Sequence, residues 1–279
     1  MKKIYKFDRI ISGKIYIVFL GGKMYLTEVE SVGVTARKKV ELLKNNFLGY
    51  FIAAMLAGIY VGFGVVLVFG IGSCIIDNPL IKVIMGLSFG VTLSLVVMAG
   101  GELFTGNNLV MAMGVFNKNI GYREAGYVLF ISLIGNWAGS VLISLGFYYS
   151  GLMSEKFIKF LGIIISERVL LNAHELFIRG ILCNILVCLA VWCCYRCKSD
   201  SGKLMMIFWC LFALVTAGFE NSVACMTLLS VAFLGPFDNI FGFMWYVLHI
   251  GILTAGNMVG GIFFVALPYY LISRKDKNK

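Results

Sequence analysis

Two carboxylates lie where the surrounding sequence is apolar. Glu102 sits in Gly100-Gly101-Glu102-Leu103-Phe104-Thr105-Gly106-Asn107, and Glu220 sits in Gly218-Phe219-Glu220-Asn221. An acid inside hydrocarbon is costly and marks an ion or proton path by default. Each of the two can capture a proton. Each can also accept hydrogen bonds from backbone amides freed by a break in a helix, and that structural role is the one expected of both. Thr105 follows the first acid and can present a hydroxyl. Asn221 follows the second and can donate from its amide.

Other reactive groups are sparse. There are two histidines, His174 and His249, too few for a rich metal site. His249 opens an apolar block and reads as a satisfied interfacial histidine. Most of the eight cysteines lie inside apolar runs. Cys194-Tyr195-Arg196-Cys197 has C-x-x-C spacing without a second pair, a weak metal or redox signal that reads as thiols near a membrane face. No G-x-x-x-x-G-K-[ST] motif is present, so ATP drive within the chain is not expected. No metal and no cofactor are expected, and the chain is not expected to be an enzyme. A membrane redox enzyme built on the cysteines stays as a rival and would need a bound metal or haem.

The elements that position these residues follow from composition. The chain has 279 residues, of which 60% are hydrophobic and 14% charged, with a mean hydropathy of +0.91. Soluble domains carry about a quarter charged residues. The apolar residues form blocks near the ~20 residues that cross a bilayer, so an all-α membrane protein is expected. Six spans are predicted, at 47–72, 83–116, 125–149, 176–194, 204–234 and 243–272. The second breaks at Glu102 and the fifth at Glu220. Residues 24–46, with Leu26, Val29, Val32, Val40 and Leu43 as scattered apolar positions, predict an amphipathic helix on the cytoplasmic surface. The channel domain is expected over 47–272 and a basic tail over 273–279. Residues 1–23 read as an extension upstream of a true start at Met24, because Gly21-Gly22-Lys23 is encodable by a ribosome-binding sequence.

The net charge of +10 comes from basic residues between apolar blocks, not from a stripe interleaved with aromatics. A nucleic-acid partner is therefore not expected. Arg37, Lys38, Lys39, Lys44, Lys118, Arg123, Arg196, Lys198 and Lys203, with the terminal cluster from Arg274, fall on one side of a six-span chain. The positive-inside rule puts both termini in the cytoplasm. Gly135-Asn136-Trp137-Ala138-Gly139-Ser140 recurs as Gly256-Asn257-Met258-Val259-Gly260-Gly261. With three spans per half, the second half is inverted relative to the first, and inverted repeats with paired broken helices place the path at the repeat interface. The Gly135/Gly139 and Gly256/Gly260 spacings predict close helix packing.

Four stretches resemble the formate/nitrite transporter family. They are Glu102-Leu103-Phe104-Thr105-Gly106-Asn107, the run from Arg179 to Trp192, Ala217-Gly218-Phe219-Glu220, and Gly256-Asn257-Met258-Val259-Gly260-Gly261. The resemblance covers Met24 to the C-terminus. It implies an aquaporin-like protomer, a homopentamer in a bacterial inner membrane, and one pore per protomer for small monovalent anions such as formate, nitrite or hydrosulfide. It implies Thr105 as the polar residue of the break loop, with Gly106, Asn107 and Gly218 shaping the breaks. It implies apolar constrictions at Phe89, Leu93, Phe104 and Leu214, which favour a species that is neutral while it crosses. Read without the family, those four are ordinary core.

Two positions depart from the family pattern. Arg168 stands where an outer lysine is usual, and Asn221 stands where a histidine usually follows the fifth-helix glutamate. Arginine attracts anions but does not release its proton. Histidine titrates near neutrality, whereas asparagine only hydrogen-bonds. Arg168 is thus expected to concentrate anions at the outer mouth and Asn221 to orient them. Any accompanying proton would come from water. The alternative is a channel for neutral solutes such as hydrogen sulfide or the protonated acid; a sensor that has lost conduction is a third reading.

Overall fold

The computed structural model describes residues 25–237 and 240–274. The extension over 1–23, the proposed start at Met24 and tail residues 275–279 lie outside the described residues.

Every element among the described residues is helical. Leu26–Asn45 (α1) carries Val29, Val32, Ala36, Val40 and Leu43 on one buried face. Its apolar face packs on other helices of the chain, chiefly Phe104–Phe116. Asn46 ends α1 and caps Phe47–Cys74 (α2) by accepting the Gly49 N–H at 2.9 Å. Ile81–Phe89 (α3) and Val91–Leu95 (α4) run into a π-helical turn at Val96–Gly100. The helix stops there because Gly100 takes φ +91° and Gly101 is extended. Phe104–Phe116 (α5) then restarts.

Tyr122–Tyr149 (α6) leads to Glu155–Val169 (α7), a helix between the third and fourth predicted spans. Its buried positions, Phe157, Phe160, Leu161 and Ile165, follow helical spacing. Ala173–Arg196 (α8) starts at a capping box between Asn172 and Glu175. Asp200–Thr216 (α9) and Ser222–Leu234 (α10) are separated by a break in which Gly218 takes φ +77°. Phe243–Gly261 (α11) passes through a second π-helical turn, Ile262–Ala266, into Leu267–Ser273 (α12). Pro268 explains that turn, since its ring has no N–H for the regular ladder.

Among the described residues, five helices are long and apolar enough to cross a membrane: Phe47–Cys74, Ile81–Gly100, Tyr122–Tyr149, Ala173–Arg196 and Phe243–Ser273. The short helices α5 and α10 are apolar nearly all round, and nearly every residue of both is buried. They form the centre of the bundle. The longer helices surround them and leave large side chains such as Ile52, Phe63, Trp209, Phe263 and Phe264 exposed on the outside, as lipid-facing or subunit-facing surfaces require.

The glycine repeat does what its spacing predicts. A Cβ on Gly139 would lie 2.0 Å from the Met55 carbonyl oxygen on α2, and one on Gly260 would lie 2.3 Å from the Ile181 carbonyl oxygen on α8. Only a bare backbone fits at those crossings.

Candidate functional site

Each break exposes backbone groups that hydrocarbon cannot satisfy, and each is held by one asparagine. Asn136 on α6 accepts the Phe104 N–H at 2.8 Å and donates to the carbonyls of Ala54 and Glu102, at 2.7 and 2.9 Å. Asn257 on α11 accepts the Ser222 N–H at 2.9 Å and donates to the carbonyls of Gly180 and Glu220, at 2.8 and 3.3 Å. Both side chains are fully buried. These are the asparagines inside the repeated glycine motif. Packing is therefore not that motif's whole role.

The two carboxylates take side-chain partners. Glu102 accepts from Lys39 of α1, from the Tyr50 hydroxyl at 3.1 Å and from the Asn107 amide at 3.0 Å. Tyr50 and Asn107 also bond Ser132 of α6, at 2.8 and 3.0 Å. Glu220 accepts from Arg168 at the end of α7, whose Nη2 lies 3.1 Å from both carboxylate oxygens, and from the Cys225 thiol at 3.0 Å. The expected bonds from freed backbone amides to the carboxylates are replaced by these. The reason is that the asparagines already hold the amides, and a buried charge needs a charged partner. Burial works against the Arg168 guanidinium, the Glu220 carboxylate outweighs it, and Arg168 is held above its ordinary pKa.

The two breaks are linked through Asn184 of α8. Its amide donates to the Thr105 carbonyl at 3.2 Å and to the Asn257 carbonyl at 2.6 Å. The start of α5 is thereby tied to the helix that holds the start of α10.

A cavity of about 660 Å³ opens beside the second break. It brings together Arg168, Phe89, Leu214, Gly218, Glu220 and Asn221 from three separate stretches of chain. The Asn221 amide oxygen caps α10, accepting from Val223 and Ala224 at 2.9 and 3.2 Å. That leaves its amide nitrogen as the group it can offer to the cavity.

Thr105, Leu93 and Phe104 are buried and do not line this cavity. The Thr105 hydroxyl is one of the buried polar atoms with no protein partner among the described residues. Gly106 is buried in α5, where a Cβ would lie 3.3 Å from Val191.

His249 is buried against Trp245, ring centres 4.5 Å apart, and its Nε2 has no partner among the described residues. The satisfied interfacial histidine expected there is not what the structure has, because one turn of α11 inside the span turns this ring inward. Among the described residues no group of three or more His, Cys, Asp or Glu side chains could hold a metal ion.

Sequence reasoning missed Lys39, Tyr50, Ser132, Asn136, Asn184, Cys225 and Asn257 as members of these networks. For the asparagines the signal was present, since both sit at the same place in the repeat.

The profile for formate/nitrite transporters matches residues 27–271. The chain belongs to the formate/nitrite transporter family. Among curated members, the nitrite transporter NirC of Salmonella typhimurium is 31% identical over 91% of this chain and 94% of its own length. A probable formate transporter of Methanothermobacter thermautotrophicus is 32% identical over 85% of this chain and 93% of its own. Among solved structures, one described as an FNT family ion channel superposes with a TM-score of 0.84 at 31% identity, covering 88% of this chain and 98% of that one. A pentameric formate channel with formate bound gives 0.72 at 26% identity, covering 82% and 98%. These relatives are transporters and channels. Together with the spanning helices they make this family member a multi-pass membrane protein.

Proposed function

We propose that the chain is a channel for small monovalent anions of the size of formate, nitrite or hydrosulfide, and that the cavity beside the second break is the outer vestibule of its path. The observation that carries this is the convergence on one cavity of a basic pair partner, an amide donor and two apolar side chains at a broken helix. A helix start in a low-dielectric site favours negative charge, and α10 begins at Asn221 on the cavity floor. Phe89 and Leu214 narrow the way inward. Thr105, with Leu93 and Phe104 around it, lies on the continuation toward α5, where its unpartnered hydroxyl meets the passing species. Transport is passive, or coupled to a proton that water supplies.

The protomer is read as six spans, counting α3 to α5 and α9 to α10 as broken spans, in two inverted repeats with an aquaporin-like arrangement. The matched positions of Asn136 and Asn257, and of Lys39–Glu102 and Arg168–Glu220, support this. The formate channel neighbour is pentameric, which supports a homopentamer here. The basic segments support cytoplasmic termini in a bacterial inner membrane, with 24–46 as the cytoplasmic helix, 47–272 as the channel domain and 273–279 as a basic tail.

Labelled formate uptake into proteoliposomes tests the reading. Saturable uptake, reduced by added nitrite or hydrosulfide in an order that ranks the substrates, is the expected result. Uptake that is linear in concentration and indifferent to the other anions would favour the neutral-solute alternative.

A further inference from the structure

The vestibule is lined by more charges than the path so far uses, and they cancel unevenly. At its exposed rim stand two lysines, Lys82 and Lys159, and two carboxylates, Asp77 and Glu167. These are water-exposed, so salt screens them and their opposite signs offset one another. Deeper, Arg168 is held by both oxygens of Glu220. The charge expected to draw anions is thus neutralised by its own partner.

One lining charge is left. Arg179 stands on α8, half-buried, and makes no side-chain hydrogen bond or ion pair among the described residues. Its position is fixed by the second break itself, because its backbone carbonyl accepts the Glu220 N–H at 3.5 Å. One helical turn on, Cys183 is buried on the same face of α8. Side chains on a helix lean toward its N-terminus, which carries the guanidinium from the level of the break into the cavity. A half-buried guanidinium with no counter-ion is unfavourable unless something anionic visits it. The planar fork of five donors suits a carboxylate or nitrite, which present two oxygens.

We propose that Arg179 is the residue that captures the anion in the vestibule and presents it to the amide of Asn221, while Arg168 and Glu220 form the wall. This rests on the reading of the cavity as the vestibule of an anion path.

The test joins a structural and a kinetic readout on the full-length protein. Crystals soaked in iodide report the site by anomalous scattering, without transport. The expected result is a peak against the Arg179 guanidinium in the unaltered protein, retained in Arg179→Lys and lost in Arg179→Gln. A peak at Arg168 instead, or one that survives Arg179→Gln, would overturn the assignment.

In proteoliposomes, Arg179→Gln should raise the half-saturation concentration for formate about tenfold, the low end of what a charged cleft does for local ion concentration. It should also flatten the decline of uptake with ionic strength, and Arg179→Lys should restore most of both. Unchanged half-saturation and salt dependence in a correctly assembled Arg179→Gln would overturn it as well. If the unaltered protein carries no anion while iodide still sits on Arg179, the capture site stands and the channel reading fails.

Discussion

The two helix breaks solve one problem twice and then diverge. In each, a buried asparagine, Asn136 of α6 or Asn257 of α11, accepts the first free N–H and donates to the loop carbonyl. In each, a glutamate is paired with a cation from another helix, Lys39 of α1 or Arg168 of α7. A third member also matches: Asn107 bonds Glu102, and Cys225 bonds Glu220.

The difference lies in what surrounds them. The first break is closed by Tyr50, Ser132 and Asn107, whose hydrogen bonds use each other. The second has a thiol in place of the amide and opens on the cavity. Holding a broken helix in hydrocarbon therefore takes an asparagine and a neutralised acid, and exposing it to a permeating species is a separate property. That second property belongs to the side chains around the break, not to the break.

Substitutions at the two breaks and on α1 would break or sharpen this comparison. The largest effect is expected from Asn257→Leu and Asn136→Leu. Each strands a buried N–H and a loop carbonyl, at about 1–3 kcal/mol per group, so each should destabilise the protein by roughly 4 kcal/mol. Thermal unfolding in detergent should show similar losses for the two, and a loss confined to one would deny the equivalence of the breaks.

Next is Glu220→Gln, which leaves Arg168 buried without its partner. Removing one member of a buried pair costs about 3 kcal/mol or more, and Glu220→Gln with Arg168→Gln should recover most of it. Glu102→Gln should cost less, because Tyr50 and Asn107 can still bond the amide. Measured stabilities in the reverse order would show that the first network depends on charge more than the second.

Asn221→His should lose part of the α10 cap, about 1 kcal/mol, and add an imidazole that can take up a proton. As pH falls the imidazolium adds positive charge and a proton donor beside the cavity. The ratio of variant to unaltered anion uptake should therefore rise on acidification. A ratio that is flat with pH would mean that position 221 does not meet the permeating species. The smallest effect is expected at Arg37, whose pair with Glu41 on α1 is exposed on both sides. Arg37→Ala should stay within about 0.5 kcal/mol, and a larger change would show that the outer face of α1 is covered in the assembly.

The breaks were legible in the sequence because glycines and an acid interrupt apolar runs, a local signal. The buried face of α1 was legible too, since Val29, Val32, Val40 and Leu43 keep helical spacing. Helix α7 was missed although Phe157, Phe160, Leu161 and Ile165 show the same spacing, because charged residues between them read as a solvated connection. Lys39 read as a topology signal, as a lysine near a membrane face normally does. Its partner is a loop distant in sequence, and no local pattern announces such a pair. Asn136 and Asn257 were seen only as letters between glycines. Their hydrogen bonds reach three elements each, and that depends on the packing the glycines permit. Arg168 was singled out as a candidate, but its pairing with Glu220 could not be read from two residues far apart in the chain.

The most direct test of the account compares formate with formamide, a neutral solute of nearly the same size and shape, in the same proteoliposomes. The account predicts formate uptake well above formamide uptake, and a gap that narrows when the vestibule charge is removed in Arg179→Gln. Formamide entering as fast as formate, or faster, would contradict it and make the protein a channel for neutral solutes.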